Sequence, residues 1–366
     1  MIKLKYRIKP LFLVLLLPLY AISASLPEKY PSYAYVFSEF SVDESYIYNE
    51  SFEKFVLKNE KKIRTFYTRS IERGDYLLPL IKNHLMDDGL SDLLIYISMI
   101  ESGFTSDIVS SKKAVGLWQF MPATAKHYKL EVCNGLDERC DPESSTKAAI
   151  TYLRKLHKQF GKWYLAVMAY NCGEGRLSKA IKKAGSDDLS ILIDDHDKYL
   201  PKETRKYIKK ILLVSMIGEA EILDFQVKEK TFSPDLFQVE VKGGTKLLDI
   251  ALLLEMKLSA LQKLNRQFKN ALIPNEKARY SIIIPEEKMM LFYMKYEIEE
   301  EKKKYVKPHL ISHYVVMGDT LETVAKKFNS SAGEIKAVNK LKEDALTLDL
   351  LLLIPVSEAL FEEALK

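Results

Sequence analysis

The stretch Ser91-Asp92-Leu93-Leu94-Ile95-Tyr96-Ile97-Ser98-Met99-Ile100-Glu101-Ser102-Gly103 decides how this chain is read. Ser91 can cap a helix start, Gly103 can end one in the left-handed conformation, and nearly everything between is apolar. These features predict a short buried helix with one carboxylate at its C-terminal end. Glu101 should then be partly desolvated and sit at the negative end of the helix dipole, and both effects favour the neutral acid. A carboxyl held protonated near neutral pH is what a general acid requires. Position alone leaves a blander reading open, in which Glu101 simply reaches solvent.

Outward from this segment the chain stays helical. Glu50–Ser70 carries a helical pattern upstream. Downstream, Thr146–Phe160 runs to Gly161, Trp163–Tyr170 breaks at Asn171-Cys172-Gly173-Glu174-Gly175, and residues 202–223 form a long apolar and basic segment. Period-two alternation is nearly missing between 90 and 225, so this part is expected to be mainly α-helical. Beyond 225 the character changes. Phe237–Val241 alternates like a strand, Gly243-Gly244-Thr245 turns, apolar helical segments follow, and Tyr280–Pro285 closes as a second strand. The pattern returns at Tyr314-Val315-Val316, Gly318-Asp319-Thr320-Leu321, two short helices through Asn339, and Leu350–Pro355, which amounts to an internal repeat. The expected fold is therefore α+β: a leader (1–24), a helical lead-in (25–80), a helical domain (81–228), a βααβ module (235–286), a charged linker or solvated helix (287–311) and a second βααβ module (312–357).

The leader has a basic start at Lys3, Lys5, Arg7 and Lys9, an apolar run from Leu11 to Ile22, and small residues at Ala21, Ser23, Ala24 and Ser25. That is the layout of a secretory signal, with an uncleaved N-terminal anchor as the alternative. Removing it takes away four basic side chains and no acidic ones, so the formal charge falls from +5 to +1. The basicity is mostly a targeting signal, and a nucleic-acid partner is not expected. Export would permit a disulfide. Cys133 and Cys140 bracket a turn-rich stretch and are the candidate pair, two independent thiols being the alternative; Cys172 is expected to be a lone buried thiol. Histidines do not cluster at zinc-ligand spacing, Asp194-Asp195-His196-Asp197 lacks metal spacing, and no nucleotide fingerprint occurs, so neither metal nor cofactor is expected. The lysines at 182–183 and 302–304 read as solvated faces.

Four segments lie in a telling order: Glu101-Ser102-Gly103-Phe104 with Ser110 behind it, Gly116-Leu117-Trp118-Gln119-Phe120-Met121-Pro122, Ala169-Tyr170-Asn171-Cys172-Gly173-Glu174-Gly175, and Leu200-Pro201-Lys202-Glu203-Thr204-Arg205-Lys206-Tyr207. This set resembles the lytic murein transglycosylases with a lysozyme-like (SLT) domain, and within them the membrane-bound D type with C-terminal LysM modules. The resemblance implies that Glu101 is the single catalytic acid, that Ser110 contacts the sugar's N-acetyl region, and that Gln119 lies in the substrate groove. It also implies that Tyr170, followed by Asn171 in the same motif, sits near the catalytic carboxyl and that Glu203 and Tyr207 occupy groove positions. Trp118 and Tyr207 each have a core-packing alternative, and Gly116, Gly173 and Gly175 are read as serving backbone geometry. Cys172 departs from the small residue expected after Ala-Tyr-Asn.

Ordinary glycoside hydrolysis uses two carboxylates. Asp107, Asp137 and Glu174 are near in sequence, but none matches a second catalytic position. The resemblance implies a one-carboxylate route ending in a 1,6-anhydro sugar, acting on peptidoglycan strands in the cell envelope, with membrane association open and a monomer favoured. Two alternatives stay open: a lysozyme-type hydrolase, and a catalytically silent peptidoglycan-binding scaffold. Residues 313–355 resemble a LysM domain, with Leu348-Asp349-Leu350 where a Pro-Gly turn is common. Residues 237–285 are a looser relative, read either as glycan-binding or as a docking module for the catalytic domain.

Overall fold

The computed structural model describes residues 25–225, 236–304 and 309–364, so the leader lies outside the described residues. It divides into two units, Met1–Met289 and Met290–Lys366.

The first unit begins with α1 (Leu26–Lys29), α2 (Tyr33–Glu39) and the long α3 (Glu50–Gly74), whose start is capped by the Asn49 side chain. Then come α4 (Leu78–Asp87), α5 (Ile95–Ser102), α6 (Pro122–His127), the hairpin strands β1 (Val132–Cys133) and β2 (Leu136–Asp137), α7 (Pro142–Phe160), α8 (Trp163–Cys172), α9 (Glu174–Ala184), α10 (Leu189–Leu192) and α11 (Lys202–Phe225). The helix boundaries have local causes. Asp141 caps α7, and Gly161 and Gly185 end α7 and α9 in the left-handed region.

One continuous core joins the lead-in to the rest, taking in Phe37, Phe40 and Phe52 together with Ile97, Leu165 and Leu212. Its axis is α11, whose Ile208, Ile211, Leu212, Leu213, Val214, Met216 and Ile217 are all fully buried. A helix apolar on every side is stable only when surrounded, and α11 packs against α2, α3, α5 and α8. Each such side chain contributes about 1.5–3 kcal/mol by leaving water. Residues 25–80 thus contribute to the domain's core and are not an appendage to it.

The remainder of this unit is the first βααβ module: β3 (Leu236–Lys242), α12 (Leu247–Leu253), α13 (Leu258–Leu264) and β4 (Arg279–Pro285), with β3 and β4 antiparallel from Leu236↔Pro285 to Lys242↔Arg279. Asn265 fastens the end of α13 to β4: its amide donates to the Ile283 carbonyl at 2.7 Å and its carbonyl accepts from the Ile283 N–H at 2.7 Å.

The second unit repeats the device. Helix α14 (Met289–Lys304) begins at the boundary, where the sequence allowed a linker or a helix, and β5 (His309–Tyr314), α15 (Leu321–Lys327), α16 (Ala332–Val338), β6 (Leu351–Val356) and α17 (Glu358–Ala364) follow. Asn339 grips Leu353 with the same pair of bonds, at 2.7 and 2.8 Å. Thr320 caps α15, while Asp319 accepts from the Val316 N–H and pairs with His313 at 2.8 Å. Asp349 adopts a φ of +61° and donates its N–H to the Val315 carbonyl, so an aspartate fills the left-handed turn position usually given to glycine.

Cys133 and Cys140 are free thiols, contrary to the pairing expected from the sequence. Cys133 is tied into the hairpin opposite Leu136, whereas Cys140 closes a helical turn after it and is buried, its pKa pushed up to about 12 by desolvation. Cys172 is also free and half-buried.

Candidate active site

Helix α5 forms as the caps predict. The Ser91 hydroxyl accepts from the Leu93 N–H in the helical turn that leads into it, and Gly103, at φ +57°, ends it with its N–H on the Met99 carbonyl. Residues 95–99 are buried, so Glu101 emerges half-buried from an apolar floor. Desolvation lifts its pKa to about 7, the negative charge of Glu203 adds to the rise, and the Tyr207 hydrogen bond and Lys210 oppose it. At that value both protonation states are populated near neutrality, as a group that donates and then accepts a proton requires.

Tyr207, one turn and more inside α11, is buried and donates its hydroxyl to Glu101 Oε1 at 2.6 Å. Its own pKa is driven far up by burial and by the Glu101 charge, so it remains a phenol and a donor. The ring is packed in the core while the hydroxyl meets the Glu101 carboxyl.

The Gly116-Leu117-Trp118-Gln119 segment is the turn between Val115 and Phe120, which are bridged by two backbone hydrogen bonds. Gly116 lies at φ +87°, where a Cβ would stand 1.7 Å from the Arg139 carbonyl oxygen, so no side chain fits. Trp118 is fully buried with its indole N–H on Thr146 Oγ1 at 3.0 Å, which makes it a core residue and removes it from sugar stacking. Gln119 is held at φ +50° and its side-chain amide donates to the Gly116 and Ile108 carbonyls, at 3.0 and 3.2 Å. Ser110 closes the neighbouring turn by accepting from the Ala114 N–H.

Tyr170 on α8 donates to the Trp118 carbonyl at 2.7 Å, and burial, followed by the Glu101 charge, raises its pKa. Asn171 accepts from Thr204 Oγ1 at 2.8 Å, joining α8 to α11 beside the site. Glu203 is exposed at the start of α11, 3.9 Å from Lys112. The structure thus joins Tyr207 to Glu101 directly and brings Tyr170 within reach of the Glu101 charge, with Asn171 and Glu203 on α8 and α11 and Ser110 and Gln119 in the 110–120 loop.

The other acids near in sequence are engaged elsewhere. Asp137 pairs with Arg139 at 2.8 Å, Glu174 with Lys155 at 2.6 Å, and Asp107 with Arg266 at 3.5 Å. An open cavity of about 760 Å³ lies at the start of α11, lined by Arg176, Lys198, Tyr199, Pro201 and Lys202; Glu101 is not in its wall. Asp194, His196 and Asp197 lie close together on the surface, and Asp194 there accepts two backbone N–H groups of its own turn.

Sequence reasoning missed Thr204, although it stands three residues before Tyr207, a spacing that puts both on one helix face. It also missed Tyr152 and Tyr128, which extend Tyr170 into a row of rings at 5.2 and 5.0 Å.

Residues 79–193 match the transglycosylase SLT domain, 235–300 the LysM-like domain of lytic transglycosylase MltD, and 313–355 the LysM domain. The chain is 27% identical over 264 residues to membrane-bound lytic murein transglycosylase D of Escherichia coli K12, covering 69% of this chain and 57% of that protein. It thus spans somewhat over half the length of this relative. To the soluble lytic murein transglycosylase of Salmonella typhimurium LT2 it is 31% identical over 119 residues, 31% of this chain and 18% of the relative. The crystal structure of the soluble lytic transglycosylase SLT70 from Escherichia coli aligns at 25% identity with a TM-score of 0.34, over 39% of this chain and 24% of that one. An SLT domain followed by an MltD-type LysM-like domain and a LysM domain, with the likeness to lytic murein transglycosylase D, supports placing the chain with the MltD-like lytic transglycosylases.

Proposed function

We propose that this protein cleaves the glycan strands of peptidoglycan without water, Glu101 serving first as acid and then as base. The observation that carries the reading is a lone half-buried carboxyl, poised at a pKa of about 7 against the Tyr207 phenol, while the acids near it in sequence are bound to cations.

Neutral Glu101 protonates the oxygen joining N-acetylmuramic acid to N-acetylglucosamine, and the C1–O bond breaks. The substrate's acetamido group stabilises the positive centre at C1. Glu101, now a carboxylate held by Tyr207, takes the proton of the C6 hydroxyl as that oxygen bonds to C1. Glu101 is again protonated and the product carries a 1,6-anhydro ring. Holding the hydroxyl beside C1 gives it an effective molarity that water does not match. Ser110, Gln119, Tyr170, Asn171 and Glu203 are assigned to the groove around this centre. The LysM modules bring the enzyme to its polymer, and the site of action is the cell envelope. Among the described residues no helix is long and apolar enough to cross a membrane.

Mass spectrometry of the fragments released from purified peptidoglycan tests this. The expected result is anhydro-terminated products, with turnover lowered on the order of a thousandfold in Glu101→Gln. Reducing-end products would move the protein to the lysozyme-type hydrolases. Full digestion by Glu101→Gln would remove Glu101 from the mechanism.

A further inference from the structure

The short hairpin of β1 and β2 does not stand alone. The backbone at Gln267–Lys269, in the connection between α13 and β4 of the LysM-like module, lies along β2 and is bridged to it. Asp137 N–H donates to the Gln267 carbonyl, Lys269 N–H donates to the Gly135 carbonyl, both at 2.9 Å, and Leu136 and Phe268 face each other as an antiparallel bridge. Around this seam Lys277 pairs with Glu131, Arg266 lies 3.5 Å from Asp107, and the Lys263 ammonium stands 4.3 Å above the Tyr76 ring. A hairpin of two residues per strand is not stable by itself in water, and its open edge needs a cover. The module supplies that cover.

What the hairpin carries makes this more than docking. Asp137 at the end of β2 holds the buried Arg139 guanidinium through two bonds, at 2.9 and 2.8 Å. The remaining guanidinium nitrogen donates to the Lys113 carbonyl, in the turn beside Ser110, and to the Phe120 carbonyl, at the end of the turn that bears Gln119. Arg266 reaches the same loop from its other side, since Asp107 precedes Ile108, whose carbonyl accepts both the Gly116 N–H and the Gln119 amide.

We infer that the LysM-like module is a fixed wall of the catalytic domain that sets the Ser110–Gln119 loop, with Asp137 and Arg139 as the positioning residues that transmit its docking. The module then acts on glycan binding in the catalytic groove even when a substrate is too short to be tethered. This inference rests on the reading of the loop as part of the glycan groove.

The test uses the full chain with Arg266→Glu and Lys277→Glu together, two partly exposed changes that reverse the pairs with Asp107 and Glu131. Hydrogen exchange is followed at 131–140 and 105–120, and kinetics are measured on a short soluble glycan and on insoluble peptidoglycan. The expected result is faster exchange in both segments and about a tenfold fall in kcat/KM on the short glycan, carried mainly by KM. Arg139→Lys provides the second variant: it should raise KM similarly and loosen 105–120 while exchange within the module stays as in the wild type. Unchanged kinetics on the short glycan, or a loss confined to the insoluble polymer, overturns the inference in favour of a simple tether, as does unchanged exchange in the double variant. If the wild type is inert on both glycans the functional reading fails, and the exchange data still judge the docking.

Discussion

Replacing Glu101 with Gln should make the first unit more stable in base than in acid, relative to the wild type. The carboxyl ionises at about 7 in the folded protein against an ordinary value of 4.5, because burial penalises the charge more than Tyr207 relieves it. A folded-state value above the unfolded one means that the native protein binds more protons between the two. Stability contributed by this group is complete below about 4.5 and is lost as pH rises through about 7. Between pH 5 and pH 9 the loss comes to roughly 2.5 kcal/mol. Glutamine does not titrate, so the variant escapes it. For a body of this size, about 2–4 °C of melting temperature goes with each kcal/mol. The melting temperature of the variant minus that of the wild type should therefore climb by roughly 5–10 °C from pH 5 to pH 9. Differential scanning calorimetry on both proteins in matched buffers reads this directly, and the difference cancels other titrating groups. A gap that stays constant across the range would show that Glu101 is solvated, and the acid–base assignment would lose its physical basis.

Tyr207→Phe removes the hydrogen bond that favours the carboxylate, so the alkaline limb of the activity profile should move upward by on the order of one pH unit; an unmoved limb refutes the coupling. Gly116→Ala forces a methyl group into the Arg139 carbonyl at a left-handed φ, and chemical denaturation should report a loss of about 2–4 kcal/mol. Under native conditions iodoacetamide should modify the half-buried Cys133 well before the buried Cys140, and electrophoretic mobility without reductant should match that with it. Trp118→Phe strands the Thr146 hydroxyl and opens a cavity, and it should lower stability by about 2–3 kcal/mol in urea melts, whereas a sugar-stacking Trp118 would change KM instead.

The sequence made some parts of this molecule readable because their causes are local. Ser91 and Gly103 bound the helix of Glu101, and the repeat pattern was readable before Asn265 and Asn339 proved to be equivalent clamps on the closing strands. Tyr207 was read as either a groove or a core residue; that its ring is packed while its hydroxyl meets Glu101 follows from the path of α11. The engagement of Asp107, Asp137 and Glu174 was hidden, since Arg266 lies far along the chain and nothing in a sequence points one carboxylate at one cation. The seam between β2 and Phe268 was hidden too. Strands of two residues have no alternation to read, and their bonds are made by backbone atoms that every residue shares. The expected Cys133–Cys140 bridge failed for a related reason: closeness along the chain says nothing about which way a hairpin turns its side chains.

Helix α11 is at once the spine of the interior and the mount of the Tyr207 hydroxyl, with the fully buried Ile208 and Ile211 beside it. Softening of the packing, by heat or by a distant cavity, therefore shifts the phenol against its carboxyl before the chain unfolds. In such a protein the pH optimum works as a thermometer of the core, drifting while the bulk of the structure still looks intact.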